Sequence, residues 1–476
     1  MKGDFTRDTF DPVQQFSRVL MQQGRVQLDA DWNEQIAIFW HYLRSLTTDL
    51  VGPHWGPAHD LGFEISPTDG PGFTVGPGRY YVNGLLCENR ERVEYVNPSH
   101  CIFPGEVVLE AGRSYLVYLD VWERHLTHVE APPIREVALG GPDTTTRAQI
   151  VWQVRPLLLE EERGDGHTET RLRQALEMLL RRLEAAQANR DEAAVRELLQ
   201  RIAEIRAALQ ALEDGHAACG ARLRALLPPT GAGLQARARQ DGKPEDPCTI
   251  PPQSRYRGAE NQLYRVEIHR AGEADKATVK WSRDNGSVTF PILAVSDQMV
   301  SLAHLGRDGR FTLSEGDWVE AIDDDYTLEG RTADLLRVEK VYREEQKVLL
   351  SVPLAKVGQD LSRHPFLRRW DQSAYKKDGG TLPVSEGEWL ELEDGVQIRF
   401  DEGGDYRSGD YWLIPARVAT GDVEWPLDTE GRPLARSPHG IAHYYAPLAT
   451  ITFNDEPEVE DCRCVVTPLC APAAGR

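Results

Sequence analysis

Residues 169–213 follow a rule that the rest of this 476-residue chain does not. Gly and Pro vanish there, and Leu, Ala, Glu and Arg take over. Leu172, Leu176, Leu179, Leu183 and Ala186 recur at alternating steps of four and three. After Asn189-Arg190-Asp191, Val195, Leu198, Ile202, Ile205, Leu209 and Leu212 do the same. Such strict alternation has the 3.5-residue period of a coiled-coil seam. The break between the two ladders predicts two helices folded into an antiparallel hairpin, each about 30 Å long. Leu176, Leu183, Leu198, Ile202 and Leu209 are its expected core. Charged residues such as Arg181, Arg182, Glu184 and Arg196 hold the outer positions, so the block is expected to project from the body. A two-helix pair buries one side of each helix and is marginal at this length. That points to a further use in docking or self-assembly, with a homotrimer favoured.

On both sides of this block the pattern is β. In "GPGRYYVNGLLCEN", Asn83-Gly84 joins Tyr80–Val82 to Leu85–Cys87, and Asn-Gly suits the positive-φ turn that matches strand twist. "SYLVYLDVWE" (114–123) reads as a buried strand, and "TRAQIVWQVRP" (146–156) as another. Residues 226–254 are rich in Pro, Gly and charge and read as a linker. In "NQLYRVEIH", Leu263, Arg265, Glu267 and His269 share one face, with Tyr264, Val266 and Ile268 on the other. "EGDWVEAID" (315–323), "EGEWLELED" (386–394) and, more loosely, "SGDYWLIPA" (408–416) each lead from a Gly turn into a strand. Short strands after such turns suggest small sandwiches or barrels.

The N-terminal stretch "MQQGRVQLDADWNEQ" steps from strand-like to helix-like sequence. Asp31 stands three residues before Glu34, the spacing of a capping box. From Trp32, the apolar residues Ile36, Trp40, Leu43, Leu46 and Leu50 mark one helix face, and Gly52-Pro53 ends it. Asp31 is thus expected to cap a helix over 32–50, with Asp29 in the turn before it.

The chain carries 75 acidic against 54 basic residues, a net charge of −21. A surface this acidic repels phosphate backbones, so nucleic acid is not an expected partner. No apolar run reaches the roughly 18 residues of a membrane span. The first residues lack the apolar core of a secretory signal, so synthesis in the cytoplasm is expected. Seven cysteines are present, an odd number with four of them scattered, which argues against a disulfide framework. Cys462, Cys464 and Cys470 lack the paired spacing of zinc ligands. His439 and His443 are four apart, but no Glu follows the first of them as in a zinc protease helix. Asp323-Asp324-Asp325 lacks the calcium-loop pattern and reads as a solvated hairpin tip. "WSRDNG" holds Arg283, Asp284 and Asn285 in a turn that could touch a sugar or a partner, although turn geometry is the commoner role of Asp-Asn-Gly. Trp152, Trp281, Trp318 and Trp389 sit within strand patterns and are expected in the core. No catalytic set, cofactor loop or metal site is expected.

The stretches "MKGDFTRDTFDPVQQFSRVLMQQGRVQLDADWNEQ", "ENQLYRVEIH", "KWSRDNGSV" and "SGDYWLIPAR" together resemble a bacterial family of uncharacterised proteins. Its members tend to be encoded alongside phage-tail-like contractile injection systems. "GRYYVNGLLCEN" and "DTTTRAQIVWQV" resemble parts of some tail-fibre and baseplate proteins. The resemblance runs to about residue 450 and implies a particle component without assigned catalytic residues.

The expected fold is mainly β, with several small sandwich or barrel domains, an N-terminal helix and the inserted hairpin. The expected divisions are a joint at 1–55, a β-domain at 56–168 and the hairpin at 169–228. A linker and a β segment continuing the first β body follow at 229–300, a small barrel at 301–365 and a C-terminal β-domain and tail at 366–476. The expected function is a structural baseplate component working through other particle proteins, leaving the cell with the particle. A glycan- or surface-binding fibre module is the first alternative, and a glycan hydrolase or toxin cargo the second. Paired carboxylates roughly 5–9.5 Å apart across a cleft would favour the hydrolase.

Overall fold

The computed structural model describes residues 1–95, 108–159, 166–188, 232–239, 255–306, 308–354, 356–372 and 380–467, with scattered positions between 195 and 223. The protein is mainly β. Three apolar cores organise it, and two of them are assembled from distant parts of the chain.

The first body pairs strand Ser114–Leu126 with Arg147–Leu159 on one side and with Tyr444–Thr452 on the other. Tyr115, Val117, Leu119 and Val121 point from the long strand into a core shared with Tyr80, Val82, Leu85 and Phe63. The Asn83-Gly84 hairpin closes as expected: both residues have positive φ, 49° and 77°, and Gly78–Val82 pairs with Leu85–Asn89. The opposite face of the long strand, Leu116 and Tyr118, packs against Leu223 and Cys219 of the helical block. Cys219 is disulfide-bonded to Cys462, with 6.0 Å between their Cα atoms. Scattered spacing gave no hint of that pairing. Cys101, Cys248 and Cys470 lie outside the described residues.

The second body joins a sheet of five strands, centred on Gln262–Arg270, to a sheet of three that contains Leu234–Ala238 and Val396–Phe400. Its core holds Tyr264, Val266, Ile268, Trp281, Phe400 and Trp412. Trp389 lies outside that core, its ring 3.8 Å from the Arg237 guanidinium and 5.0 Å from that of Arg399. Trp152 is half-buried, edge-on to Phe63 at 4.9 Å.

The third body is a closed six-stranded barrel running from Thr289–Ser296 to Phe366–Trp370. The expected division at 301–365 therefore cuts off its first and last strands. The expected C-terminal domain is likewise shared out. Leu382–Pro383 and Tyr411–Arg417 belong to the second body, while Tyr444–Thr452 belongs to the first.

Two long helices accompany these bodies. Helix α1 spans Asp29–Val51 and helix α2 spans Gly166–Ala188. Leu172, Leu179 and Ala186 of α2 form one buried cluster with Leu198, Ile202 and Ile205; Leu176, Leu183, Val195 and Leu209 pack against it. The described residues from 195 to 209 are helical. The block lies against the body, with Arg182 acting on Asp401 and Arg201 on Asp410. Among the described residues, the seam is covered by the chain's own side chains.

Candidate functional site

Helix α1 begins at Asp29, three residues before its expected start. Leu28, with extended backbone, takes the N-cap position and supplies no side-chain cap. Asp31 sits in the first turn, where its carboxylate accepts from the Leu28 amide at 3.4 Å. Asp31 is therefore a first-turn residue and not the cap. Glu34 accepts from the Thr9 hydroxyl at 2.6 Å, and Asp29 accepts from both the amide and the hydroxyl of Thr6. These acidic residues, read from sequence as local helix signals, tie the helix to a strap formed by the preceding chain. The Val19 amide adds a bond to Gln35, and Phe10 packs on His41 with ring centroids 5.6 Å apart. Strap and helix enclose a half-open groove of about 530 Å³ lined by Phe10, Phe16, Ile38 and Tyr42.

One face of α1 sits on the first body. Trp40 packs on its core. Arg44 donates to the Asn83 carbonyl at 2.9 Å and stacks over Tyr444. The expected apolar face is elsewhere. Trp32, Ile36, Leu43, Leu46 and Leu50 are exposed, Trp32 by 71% and Leu50 by 75%. Phe39, at 59% exposure, joins them, whereas Trp40 turns inward. The strap continues the surface with Phe16, Leu20, Met21, Val26 and Leu28, all exposed. A soluble protein seldom presents so much contiguous apolar surface unless a partner covers it.

The start of the strap reaches the junction of the second body and the barrel. There the polar face of strand Gln262–Arg270 is buried as thoroughly as its apolar face. Glu267 receives Arg265 at 2.6 Å, Lys2 at 3.0 Å and Lys280 at 3.5 Å; Lys280 also binds Glu320 of the barrel at 2.7 Å. Burial pushes the Glu267 carboxyl up, but those three cations outweigh it and hold it well below the usual carboxylate range. Burial lowers Lys2 to about 8, even though Glu267 pulls the other way.

The "WSRDNG" turn is the keystone here. Asn285 and Gly286 take positive φ, 51° and 65°. The strands on either side do not pair with each other: Thr278–Ser282 stays in the second body and Thr289–Ser296 enters the barrel. The Asn285 amide donates to the carbonyls of Met1 and Gly3. Asp284 faces Arg310 and Arg369, and Arg283 binds Glu393 at 2.8 Å. Burial drives Glu393 up to about 7, against the pull of Arg283. The turn residues thus join bodies together.

The acidic triplet is a joint as well. Asp323 caps the helical turn Asp324–Leu328, and Asp324 binds Arg124 of the first body and His364 of the barrel. It is mostly buried, unlike the solvated tip expected. His439 stacks on Tyr411 while His443 binds Asp120 at 2.6 Å, so the two histidines serve separate partners. Among the described residues, no group of three or more His, Cys, Asp or Glu is placed to hold a metal ion. No helix among them is long and apolar enough to cross a membrane.

The sequence alone pointed to the helix face but missed Phe39 and the strap. Counting steps of four and three onward from Trp32 would have found Phe39. The buried ion pairs had a faint signal in the alternating charged residues of "YRVEIH".

The chain belongs to a family of unknown function (DUF6519), whose pattern matches residues 1–474. No curated protein matches it. Among solved structures, it is similar to one described as "Crystal structure of TssK", at 8% identity and a TM-score of 0.17, covering 80% of this chain and 98% of that one. A likeness this slight carries no argument.

Proposed function

We propose that this chain is a structural component of a phage-tail-like contractile injection particle, placed at the baseplate or its periphery. It works by assembling with other particle proteins and turns over no substrate. The observation that carries this reading is the bare apolar face of α1 and its strap, mounted on bodies whose own cores are closed. Apolar surface on that scale is an interaction site. The resemblance of the N-terminal stretch and of "KWSRDNGSV" to the injection-system family supplies the particle context. The ion pairs Arg265–Glu267, Lys280–Glu320 and Arg124–Asp324 suit the same role. Lys280–Glu320 and Arg124–Asp324 tie the barrel to the second and first bodies, while Arg265–Glu267 lies within one strand of the second.

Particles purified from a producing strain should contain this chain in fixed ratio to their sheath subunit, as measured by quantitative mass spectrometry. Deleting its gene should stop assembly or release incomplete particles. Fully assembled, contracting particles with no copy of the chain would overturn the proposal.

A further inference from the structure

Six exposed side chains of α1 form a second ladder: Trp32, Ile36, Phe39, Leu43, Leu46 and Leu50. Their steps are four, three, four, three and four. This is a heptad seam, with Ile36, Leu43 and Leu50 at one core position and Trp32, Phe39 and Leu46 at the other. A helix meant to lie on a sheet has no need of a 3.5-residue period; a helix meant to pair with another helix does. The seam points away from the body, because Trp40 and Arg44 occupy the side that touches it.

We infer that α1 is a homotypic assembly helix: copies of this chain associate by packing their α1 seams against one another. Three observations favour a second copy as the occupant. The period fits a helix, and α1 carries the matching seam. The positions flanking the seam, Asn33, Gln35, Trp40, Tyr42, Thr47 and Asp49, hold one charge among six residues. A chain of net charge −21 should repel its own copies at most surfaces, yet along this stripe like charges would scarcely meet. The area also suffices. At about 150–250 Å² for an aromatic side chain and somewhat less for an aliphatic one, the exposed parts of the seam and of Phe16, Leu20, Met21, Val26 and Leu28 come to roughly 1,000 Å² per chain. A stable interface needs about 800 Å² per partner.

This inference deepens the assembly reading and rests on it, but the two can fail separately. Particle membership is tested in particles, and self-association in the purified chain. The full-length protein at about 50 μM, a concentration at which a micromolar association is well populated, should show by light scattering a multiple of its 53.5 kDa chain mass. The pair Ile36→Asp and Leu43→Asp should reduce that to a single chain with an unchanged far-ultraviolet circular dichroism spectrum. A wild-type chain that stays monomeric, whether or not particle proteins bind it, overturns the inference. So does a double variant that keeps the multimer. If the double variant unfolds, Leu50→Lys at the end of the seam decides. It should raise the dissociation constant at least about tenfold, equivalent to 1.4 kcal/mol, while the diluted chain melts as wild type does; an unchanged constant overturns the inference.

Discussion

Leu179 in α2 and Leu50 in α1 belong to ladders with the same spacing, yet one is 1% exposed and the other 75%. The α2 ladder meets Leu198, Ile202 and Ile205 of its own chain. The α1 ladder meets solvent. A heptad spacing states that a helix seeks another helix; it does not state which chain supplies the partner. Here the longer and more conspicuous ladder is satisfied internally, and the shorter one beside a strap is left for something else. The expectation that self-assembly resides in residues 169–213 followed the more conspicuous pattern, and α1 adds a second ladder that is uncovered in the single chain.

The largest expected effect comes from truncating one leucine in each ladder. Leu179→Ala should cost about 2–5 kcal/mol of the helical block's stability, seen as faster amide exchange across α2. Leu50→Ala, measured on diluted chain, should stay within about 0.5 kcal/mol. Equal changes would break the comparison. Next comes the covalent staple that only the covered block possesses. Cys219→Ser, or reduction, should loosen that block by about 2–4 kcal/mol, with protease cleavage rising within α2 and no change in α1. An unaltered digest would mean that packing on Leu116 and Tyr118 suffices.

A smaller effect separates the helix from its strap. Asp29→Ala removes two hydrogen bonds from Thr6 and should cost about 1 kcal/mol. Asp31→Ala, which gives up a single long bond to Leu28, should cost a few tenths of that by the same reasoning. Thermal melts of both variants check the order; the reverse order would restore Asp31 as the principal cap.

The last effect is the pH response, which should belong to the joints and spare both ladders. The Glu393 carboxyl is raised in the folded protein to about 7, from 4.5. The folded state therefore holds a proton that the unfolded state has released between those values. Stability from this group is fully present below 4.5 and lost as pH rises through 7. Glu393→Gln should melt like wild type at pH 4.5 and higher than wild type at pH 8. A gain that appears at the acid end instead would reverse the assignment.

Much of the β architecture was legible because short-range rules governed it. Asn83-Gly84 closes its hairpin, and Gly316, Gly387 and Gly409 take positive φ where Gly-led turns were read. The helices were legible from period alone, to within three residues at the start of α1. What could not be read was long-range pairing. Nothing local says that Tyr444–Thr452 returns to the first body, that Cys219 finds Cys462, or that Asp324 leaves its own strand end to bind Arg124. The sequence separated the two faces of Gln262–Arg270 without saying what either meets, because alternation reports two environments and a buried ionic one passes for water. The seam of α1 was half legible. Trp40 stood in for Phe39, and with that substitution the 3.5-residue period was lost among 3.6-residue alternatives.

The return of Tyr444–Thr452 to Ser114–Leu126 also fixes an order of events during synthesis. The long strand leaves the ribosome some 320 residues before its partner. At translation speeds of about 5–20 residues per second, it waits roughly 15–65 s with one edge bare. An unpaired apolar edge is a template for foreign strands, and the exposed α1 is present throughout that interval. The second body and the barrel emerge while the first body is still open, so the N-terminal part of the molecule is the last to close. A ribosome that stalls or terminates before residue 444 therefore releases a chain whose first body, and not merely its end, lacks a strand.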